Sequence, residues 1–187
     1  EKAMKQFTNI SELVGQKDSK ASNEKVLLVS SATCGRANGS QALVEALREV
    51  WEKHNLFSEA RLRITGCLGY CDKEPIVIVR PEGFFYPQPS PKDAEEIVLE
   101  SVIGGKPVER LLMDAPSNGH KIVTEGEVPF YRNQTRWLFA DNFELDPTSL
   151  EDYLAIGGYR AVVTVLGSME PEQVIETIHK SGLRGRG

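Results

Sequence analysis

The chain has 187 residues, a formal net charge of -5 and 40% hydrophobic residues, a composition typical of a globular protein with enough apolar material for one core. The mild negative charge argues against a general nucleic-acid surface and against binding to anionic membranes. No apolar run approaches the ~20 residues that span a bilayer, so we expect no transmembrane segment. Residues 1–23 are polar and lack an apolar signal core, and the cysteine count is odd, so we expect an N-terminal tail and a cytoplasmic location.

The first half of the chain alternates between strand and helix patterns. The run KVLLVSS predicts a buried strand, and a helix follows with Leu43, Leu47 and Trp51 on one face and a predicted N-terminal cap at Asn38. ARLRIT predicts a half-buried strand and PIVIVR a buried one, with FFYPQ as its antiparallel partner.

A second helix is predicted between Ser90 and Gly104. Ser90 and Asp93 form a capping box, Pro91 stands in the first turn, and Gly104 ends the helix. The element order is therefore β-α-β followed by β-β-α over residues 24–104, which is an α/β fold. Because a βαβ unit crosses over right-handed, its two strands are parallel.

Three cysteines follow strands of this predicted sheet. Cys34 follows the first strand, and Cys67 and Cys71 follow the second. The carboxyl ends of parallel strands meet at one edge of a sheet, where ligand sites of α/β proteins form. We therefore expect the three thiols to lie together at that edge.

Several roles are open for three such thiols. A [2Fe–2S] cluster needs four ligands, two for each iron, and the sequence has no fourth cysteine. Structural zinc would need a histidine, yet His54, His120 and His179 have no close ligand spacing to a cysteine. A disulfide is disfavoured in a reducing compartment. Purely structural thiols are the remaining interpretation.

The stretch ATCGRANGSQALVEAL…GCLGYCDKEPIVIV resembles the thioredoxin-like [2Fe–2S] ferredoxin module of NADH dehydrogenases and related hydrogenases. That family has C-x4-C, then a helix, a strand and C-x3-C. Cys34 matches its second cysteine, and Cys67 and Cys71 match the third and fourth, so the resemblance implies that these three are metal ligands. The first cysteine should stand at Val29, which cannot ligate iron. The hydroxyls of its neighbours, Ser30 and Ser31, could replace a thiolate more weakly.

The C-terminal stretch DPTSLEDYLAIGGYRAVV…MEPEQVIETIHKSGLRGRG is similar to the start of the flavin- and NADH-binding subunit of complex I and of soluble NAD(P)-linked hydrogenases and formate dehydrogenases. In that family GLRGRG leads into a glycine-rich loop that cradles the FMN phosphate, because backbone N–H groups of such a loop favour an anion. The resemblance implies that Gly185, Arg186 and Gly187 begin the flavin loop.

These patterns divide the chain into four predicted parts. They are an N-terminal tail (1–23), a thioredoxin-like ferredoxin domain (24–104), an extended connector (105–147) and the helical start of an FMN/NADH-binding domain (148–187). The last part has about 40 residues and two modest helices with a break at Gly157-Gly158, too little for a core of its own. We expect it to pack on the rest of a domain or on another subunit.

The resemblance implies the electron-transfer portion of an NAD(P)H-dependent oxidoreductase subunit. The full-length parent subunit would carry FMN, NAD(P) and a [4Fe–4S] cluster in addition to the [2Fe–2S] cluster. Its partners would be other subunits of a redox complex, such as a hydrogenase or a formate dehydrogenase, together with a small ferredoxin-like subunit. Residues 1–187 alone should catalyse no hydride transfer. The alternative is a cluster-free docking module, which the replacement of the first family cysteine by Val29 favours.

Overall fold

The computed structural model describes residues 24–116, 119–143 and 145–185. Within these residues the backbone forms two compact units, and the boundary between them lies between Ser149 and Leu150. The predicted tail at residues 1–23 lies outside the described residues.

A four-stranded sheet forms the centre of the first unit. Its strands are β1 (Val26–Ser30), β2 (Arg61–Thr65), β3 (Ile76–Arg80) and β4 (Phe84–Pro87). Their order in the sheet is β2-β1-β3-β4, with β1 parallel to β2 and antiparallel to β3, and with β3 antiparallel to β4. This topology confirms the predicted β-α-β and β-β-α order and gives an α/β unit of the thioredoxin-like type.

The crossover from β1 to β2 is helical. It contains α1 (Thr33–Ala37) and α2 (Ser40–Lys53), followed by a 3₁₀ turn at Leu56–Ser58. The cap predicted at Asn38 is wrong, because α2 begins at Ser40 after Gly39 and has no side-chain cap. Gly39 adopts a φ of 89°, a conformation that only glycine reaches without strain.

The helix predicted after Ser90 is present, but its winding changes along its length. A 3₁₀ turn (Pro91–Asp93) leads into α3 (Ala94–Glu96) and then into a wider π-helical stretch (Ile97–Ile103). The predicted capping box is confirmed, since the Ser90 backbone N–H donates to Asp93 Oδ2 at 2.6 Å. The helix ends at Gly104, where a Cβ atom would stand 2.7 Å from the Glu100 carbonyl oxygen.

The sheet carries an apolar core on each face, because successive residues of a strand point to opposite sides. The first, which we call the helix face, packs against the two main helices and includes Leu27, Val29, Leu43, Leu47, Trp51, Val77, Val79, Phe84, Tyr86 and Ile97. The second, which we call the aromatic face, includes Leu28, Leu68, Ile76, Ile78, Phe85, Ile122, Val128, Tyr131 and Phe143.

Residues 105–149 supply the cover of the aromatic face. They contain a short hairpin of β5 (Met113–Asp114) and β6 (Lys121–Ile122) and the helix α4 (Pro129–Arg132). Three 3₁₀ turns complete the segment, at Glu109–Leu111, Glu125–Glu127 and Ala140–Phe143. Residues 105–147, predicted as an extended connector, therefore contribute buried side chains to the first unit.

The second unit is described from residue 150 to residue 185 and is helical. Its helices are α5 (Leu150–Ala155), α6 (Arg160–Ser168) and α7 (Pro171–Ser181), and the predicted break at Gly157-Gly158 separates the first two. α7 begins at Pro171 and is capped by Gly182, in agreement with the predicted start and stop signals. No apolar side chain of residues 150–185 is buried. Among the described residues, every helix is too short or too polar to cross a membrane.

Candidate metal centre

The structure brings the three cysteines together at one edge of the sheet. Cys34 is the second residue of α1, directly after β1, while Cys67 and Cys71 flank the loop that follows β2. The Cys71 thiol lies beside both Cys34 and Cys67, close enough for each of them to affect its pKa. All three are free thiols, two half-buried and Cys71 exposed. The predicted juxtaposition is present, and the role of these thiols as ligands stays a prediction.

The environment of the thiols favours their protonated form in the absence of a metal. Burial raises the pKa of Cys67, and the neighbouring Cys34 thiol, followed by burial, raises the pKa of Cys71. A bound cation would reverse this preference, because metal ions deprotonate the thiols that ligate them. The Gly69 backbone N–H donates to Cys67 Sγ at 3.2 Å and would stabilise a thiolate there.

A single-metal site does not form around these thiols. Among the described residues, no three His, Cys, Asp or Glu side chains have the arrangement that would hold one metal ion. Of the three histidines, His54 follows α2, His120 lies beside the β5–β6 hairpin, and His179 belongs to α7 in the second unit. None of these three histidines lies on an element that carries one of the thiols.

The position of the missing family cysteine lies on the wrong side of the sheet. Val29 is completely buried on the helix face, between Ile64 and Val77 of the neighbouring strands. Ser30, the next residue, points to the opposite face. Its hydroxyl donates to Glu74 Oε2 and accepts the Ile76 backbone N–H at 2.8 Å.

The hydroxyl of Ser31, the second alternative ligand named from the sequence, forms a hydrogen bond with another residue. Its Oγ atom lies 2.8 Å from Ser40 Oγ at the start of α2, and its backbone N–H donates to the Thr65 carbonyl at 2.9 Å. These contacts join the end of β1 to α2 and to β2.

Glu74 is a polar residue of the site that the sequence did not reveal. Its side chain is only 1% exposed, and its Oε1 atom has no hydrogen-bond partner among the described residues. Burial raises the pKa of Glu74, while the Ser30 hydroxyl and the nearby backbone N–H groups of Leu68 and Ile76 lower it by less. A glutamate in CDKEP gives no sequence signal of burial, because unpaired glutamates are almost always exposed.

Glu74 lies within electrostatic reach of the thiols. Its backbone N–H donates to the Cys71 carbonyl at 3.4 Å. Its negative charge adds to the increase in the pKa of both Cys67 and Cys71, after the larger effects given above. The carboxyl group is also packed against Gly35, where a Cβ atom would stand 3.0 Å from Glu74 Oε2. The glycine after Cys34 therefore provides the space that the carboxylate fills.

Residues 105–149 hold the cysteine loop from outside. The Asn142 side-chain amide donates to the Cys67 carbonyl at 2.7 Å, and the Thr65 hydroxyl donates to the Asn142 carbonyl. Tyr70, inside the loop, stacks on Phe130 with ring centroids 4.2 Å apart and meets Tyr131 edge-on. These contacts could not be predicted from the sequence, because this segment has no periodic apolar pattern.

The predicted flavin-loop residues are only partly described. Gly185 is exposed, with open space where a Cβ atom would stand. Arg186 and Gly187 lie outside the described residues. The assignment of these three residues to a flavin loop stays a prediction.

The chemistry of the donor set fits three of the four ligand positions of a [2Fe–2S] cluster. Two thiols from one loop can hold one iron, and a third thiol across from them can hold the other. The fourth position has no thiol. The buried Ser30–Glu74 pair lies beside the cysteines, since the charge of Glu74 affects both Cys67 and Cys71.

Comparison with known proteins identifies the class to which this α/β unit belongs. The "Ferredoxin, 2Fe-2S" of Aquifex aeolicus is 32% identical over 81 residues, which are 43% of this chain and 73% of that protein. The protein of the same description from Clostridium pasteurianum is 39% identical over 75 residues, 40% of this chain and 74% of its own length. The chain belongs to the [2Fe–2S] ferredoxin family.

The chain is also similar to two further proteins. The NADP-reducing hydrogenase subunit HndB of Solidesulfovibrio fructosivorans is 31% identical over 107 residues, 55% of this chain and 82% of that subunit. The crystal structure of the wild-type thioredoxin-like [2Fe–2S] ferredoxin from Aquifex aeolicus superposes with a TM-score of 0.45 and 30% identity, over 50% of this chain and 99% of that one. No protein-family model matches the chain.

Proposed function

We propose that residues 24–149 are an iron–sulfur electron-transfer module of a multi-subunit oxidoreductase. The observation that carries the proposal is the meeting of Cys34, Cys67 and Cys71 at the carboxyl edge of two parallel strands, in a chain that belongs to a ferredoxin family. These three cysteines would hold a [2Fe–2S] cluster.

When bound, such a cluster supplies one-electron transfer. The chain's own residues would hold and shield it. The Gly69 N–H would stabilise negative charge on Cys67 Sγ, because hydrogen bonds to cluster sulfurs raise the reduction potential. Cys71 is exposed, so a redox partner that docks at this edge would come close to the ligated iron.

We infer that the partners are other subunits of a redox complex, such as a hydrogenase or a formate dehydrogenase with a small ferredoxin-like subunit. The similarity to a subunit of an NADP-reducing hydrogenase supports this inference. The larger parent would carry FMN, NAD(P) and a [4Fe–4S] cluster, and a cytoplasmic location fits such a complex. In this proposal residues 148–187 begin the flavin-binding domain, with Gly185, Arg186 and Gly187 at its phosphate loop.

The second unit gives independent support for a larger assembly. Its helices expose apolar side chains that a folded domain would normally bury, among them Leu150, Leu166, Ile175, Ile178 and Leu183. Helices without a core of their own are stabilised mainly by packing on other elements. We propose that the remainder of a flavin domain, or another subunit, covers them.

The test is the iron and acid-labile sulfide content of the anaerobically purified or reconstituted chain, together with its visible spectrum. We expect about two irons and two sulfides per chain, and their loss in Cys67→Ala. Ser31→Ala is the control, because the Ser31 hydroxyl contacts α2 rather than the thiols, and it should keep both irons. Wild-type protein without iron or visible absorbance after reconstitution would refute the module.

A cluster-free docking module is the second candidate function. The observation that favours it is the direction of Val29, which packs on the helix face instead of beside the thiols. A docking role predicts that Cys67→Ala leaves both the assembly of the complex and its electron transfer unchanged. An electron-transfer role predicts that the variant still assembles but no longer transfers electrons.

A further inference from the structure

The proposed cluster lacks one of its four protein ligands, and no further thiol of the chain can provide it. Four protein ligands are needed for a [2Fe–2S] cluster, and the chain contains three cysteines. Val29 faces the helices and cannot be turned to the thiols without reversing the register of β1. Another kind of donor must therefore occupy the fourth position.

Ser30 already uses its hydroxyl within the protein. The oxygen accepts the Ile76 backbone N–H at 2.8 Å and donates its own proton to Glu74 Oε2. Its side chain is completely buried. As an iron ligand it would have to give up the bond to Glu74, whereas in its present position it fixes one oxygen of that carboxylate.

The Glu74 carboxylate, unlike the Ser30 hydroxyl, still has an oxygen atom available to bind a metal. Oε2 accepts the Ser30 hydroxyl, while the buried Oε1 has no partner among the described residues. Burying a carboxylate oxygen without a hydrogen bond or a cation is costly, so such groups are normally paired or coordinate metals. The side chain follows directly on the Cys71 turn, beside the residue after Cys34.

We propose that Glu74 is the fourth ligand of the cluster, bound through Oε1, and that Ser30 is the positioning residue that fixes the carboxylate through Oε2. The inference rests on the proposed function, because it requires a cluster. An Oε1 lone pair is donated to ferric iron in place of a thiolate, any proton on the carboxyl group is released to solvent, and no electron moves. Carboxylate is an established iron ligand in proteins.

The first measurement is a Mössbauer spectrum of the oxidised chain reconstituted with ⁵⁷Fe and sulfide. We expect two unequal quadrupole doublets, one for an iron with four sulfur ligands and one for an iron with three sulfurs and one oxygen. Two doublets typical of all-sulfur sites would overturn the proposal. A chain that binds no iron would refute the proposed function itself, so the two failures are distinguishable.

The second measurement identifies the oxygen donor with Glu74→Gln, which keeps the size of the side chain. Asp72→Asn is the matched control, because it makes the same change in the same loop at a side chain that is 81% exposed. We expect the iron content of E74Q to fall by more than half, with the circular dichroism of the metal-free chain unchanged, and D72N to match wild type. E74Q with two irons and the wild-type spectrum would overturn the proposal.

Ser30→Ala separates ligation from positioning. If Ser30 only orients Glu74, S30A should keep the oxygen-ligated doublet and bind iron more weakly. If instead S30A lost that doublet completely while E74Q retained it, the oxygen ligand would be Ser30. That result would overturn the proposal. Should metal-free E74Q fail to fold, Glu74→Cys replaces it. A thiolate at residue 74 should convert the oxygen-ligated doublet into an all-sulfur one, and an unchanged wild-type spectrum would contradict ligation by Glu74.

Discussion

The two faces of the four-stranded sheet are built from the same strands but carry different chemistry. Val29 and Ser30 are neighbours in β1, yet Val29 packs among aliphatic side chains of the helix face and Ser30 meets Glu74 on the other side. The helix face is an apolar core. The aromatic face combines stacked rings, a buried carboxylate and the loop that bears Cys67 and Cys71. The comparison suggests that one face maintains the fold while the other supports the site.

A change on the aromatic face should impair both stability and iron binding. Phe143 is buried against Tyr131 and directly follows Asn142, which holds the Cys67 carbonyl. We expect Phe143→Ala to lower the free energy of unfolding by about 3–5 kcal/mol and to weaken iron binding. Urea unfolding of the metal-free chain and iron content after reconstitution measure the two effects.

Trp137→Ala is the matched control for this change. It removes an aromatic ring from the same segment, but the ring is 91% exposed. Its effect on stability should stay within about 0.5 kcal/mol. If Phe143→Ala behaved like Trp137→Ala, the segment 105–149 would not be part of the core.

A change on the helix face should affect stability alone. Leu47 is completely buried in the middle of α2, so Leu47→Ala should cost about 2–5 kcal/mol of unfolding free energy. Under conditions where the variant remains folded, its iron content should equal that of wild type. Leu99→Ala is the control, because it makes the same leucine-to-alanine change at a partly exposed position. Loss of iron in folded Leu47→Ala would mean that the two faces are not separable.

The smallest effect is expected at the capping box of the helix that follows Ser90. Burial raises the pKa of Asp93, but hydrogen bonds from Ser90 and the Arg110 guanidinium outweigh it and lower the pKa overall. The stabilisation is therefore present above the ordinary carboxyl pKa and is lost as the pH falls through the folded-state value. Asp93→Asn should cost about 1 kcal/mol at neutral pH.

Unfolding titrations at neutral and acidic pH check this prediction. The difference in unfolding free energy between wild type and Asp93→Asn should shrink as the pH falls. Protonation makes the Asp93 carboxyl group neutral, and the asparagine amide is neutral at every pH. A difference that does not depend on pH would show that the charge of Asp93 contributes nothing to the cap.

The sequence predicted the elements that follow local rules. Strand runs, the capping box and the edge shared by three thiols could be inferred because periodicity, turn chemistry and crossover handedness act over short distances. The start of α2 was misplaced, since Gly39 and its positive φ replace a side-chain cap at Asn38. The domain boundaries and the ligand roles of the cysteines stay predictions.

What the sequence could not supply depends on long-range packing. Glu74 is separated from Ser30 by 44 positions in the sequence, and nothing in CDKEP indicates that its carboxylate is buried. Likewise, Asn142 reaches the Cys67 carbonyl from a segment without apolar periodicity. Such contacts follow from the assembled fold rather than from any local pattern.

The fit between Gly35 and Glu74 has an evolutionary consequence. A side chain at residue 35 would begin 3.0 Å from the Glu74 carboxylate and from the Ser30 backbone carbonyl, so a smaller residue 74 would relieve only one of the two contacts. Homologues should therefore keep a glycine directly after the cysteine of α1, whether or not they carry a glutamate at the position of Glu74.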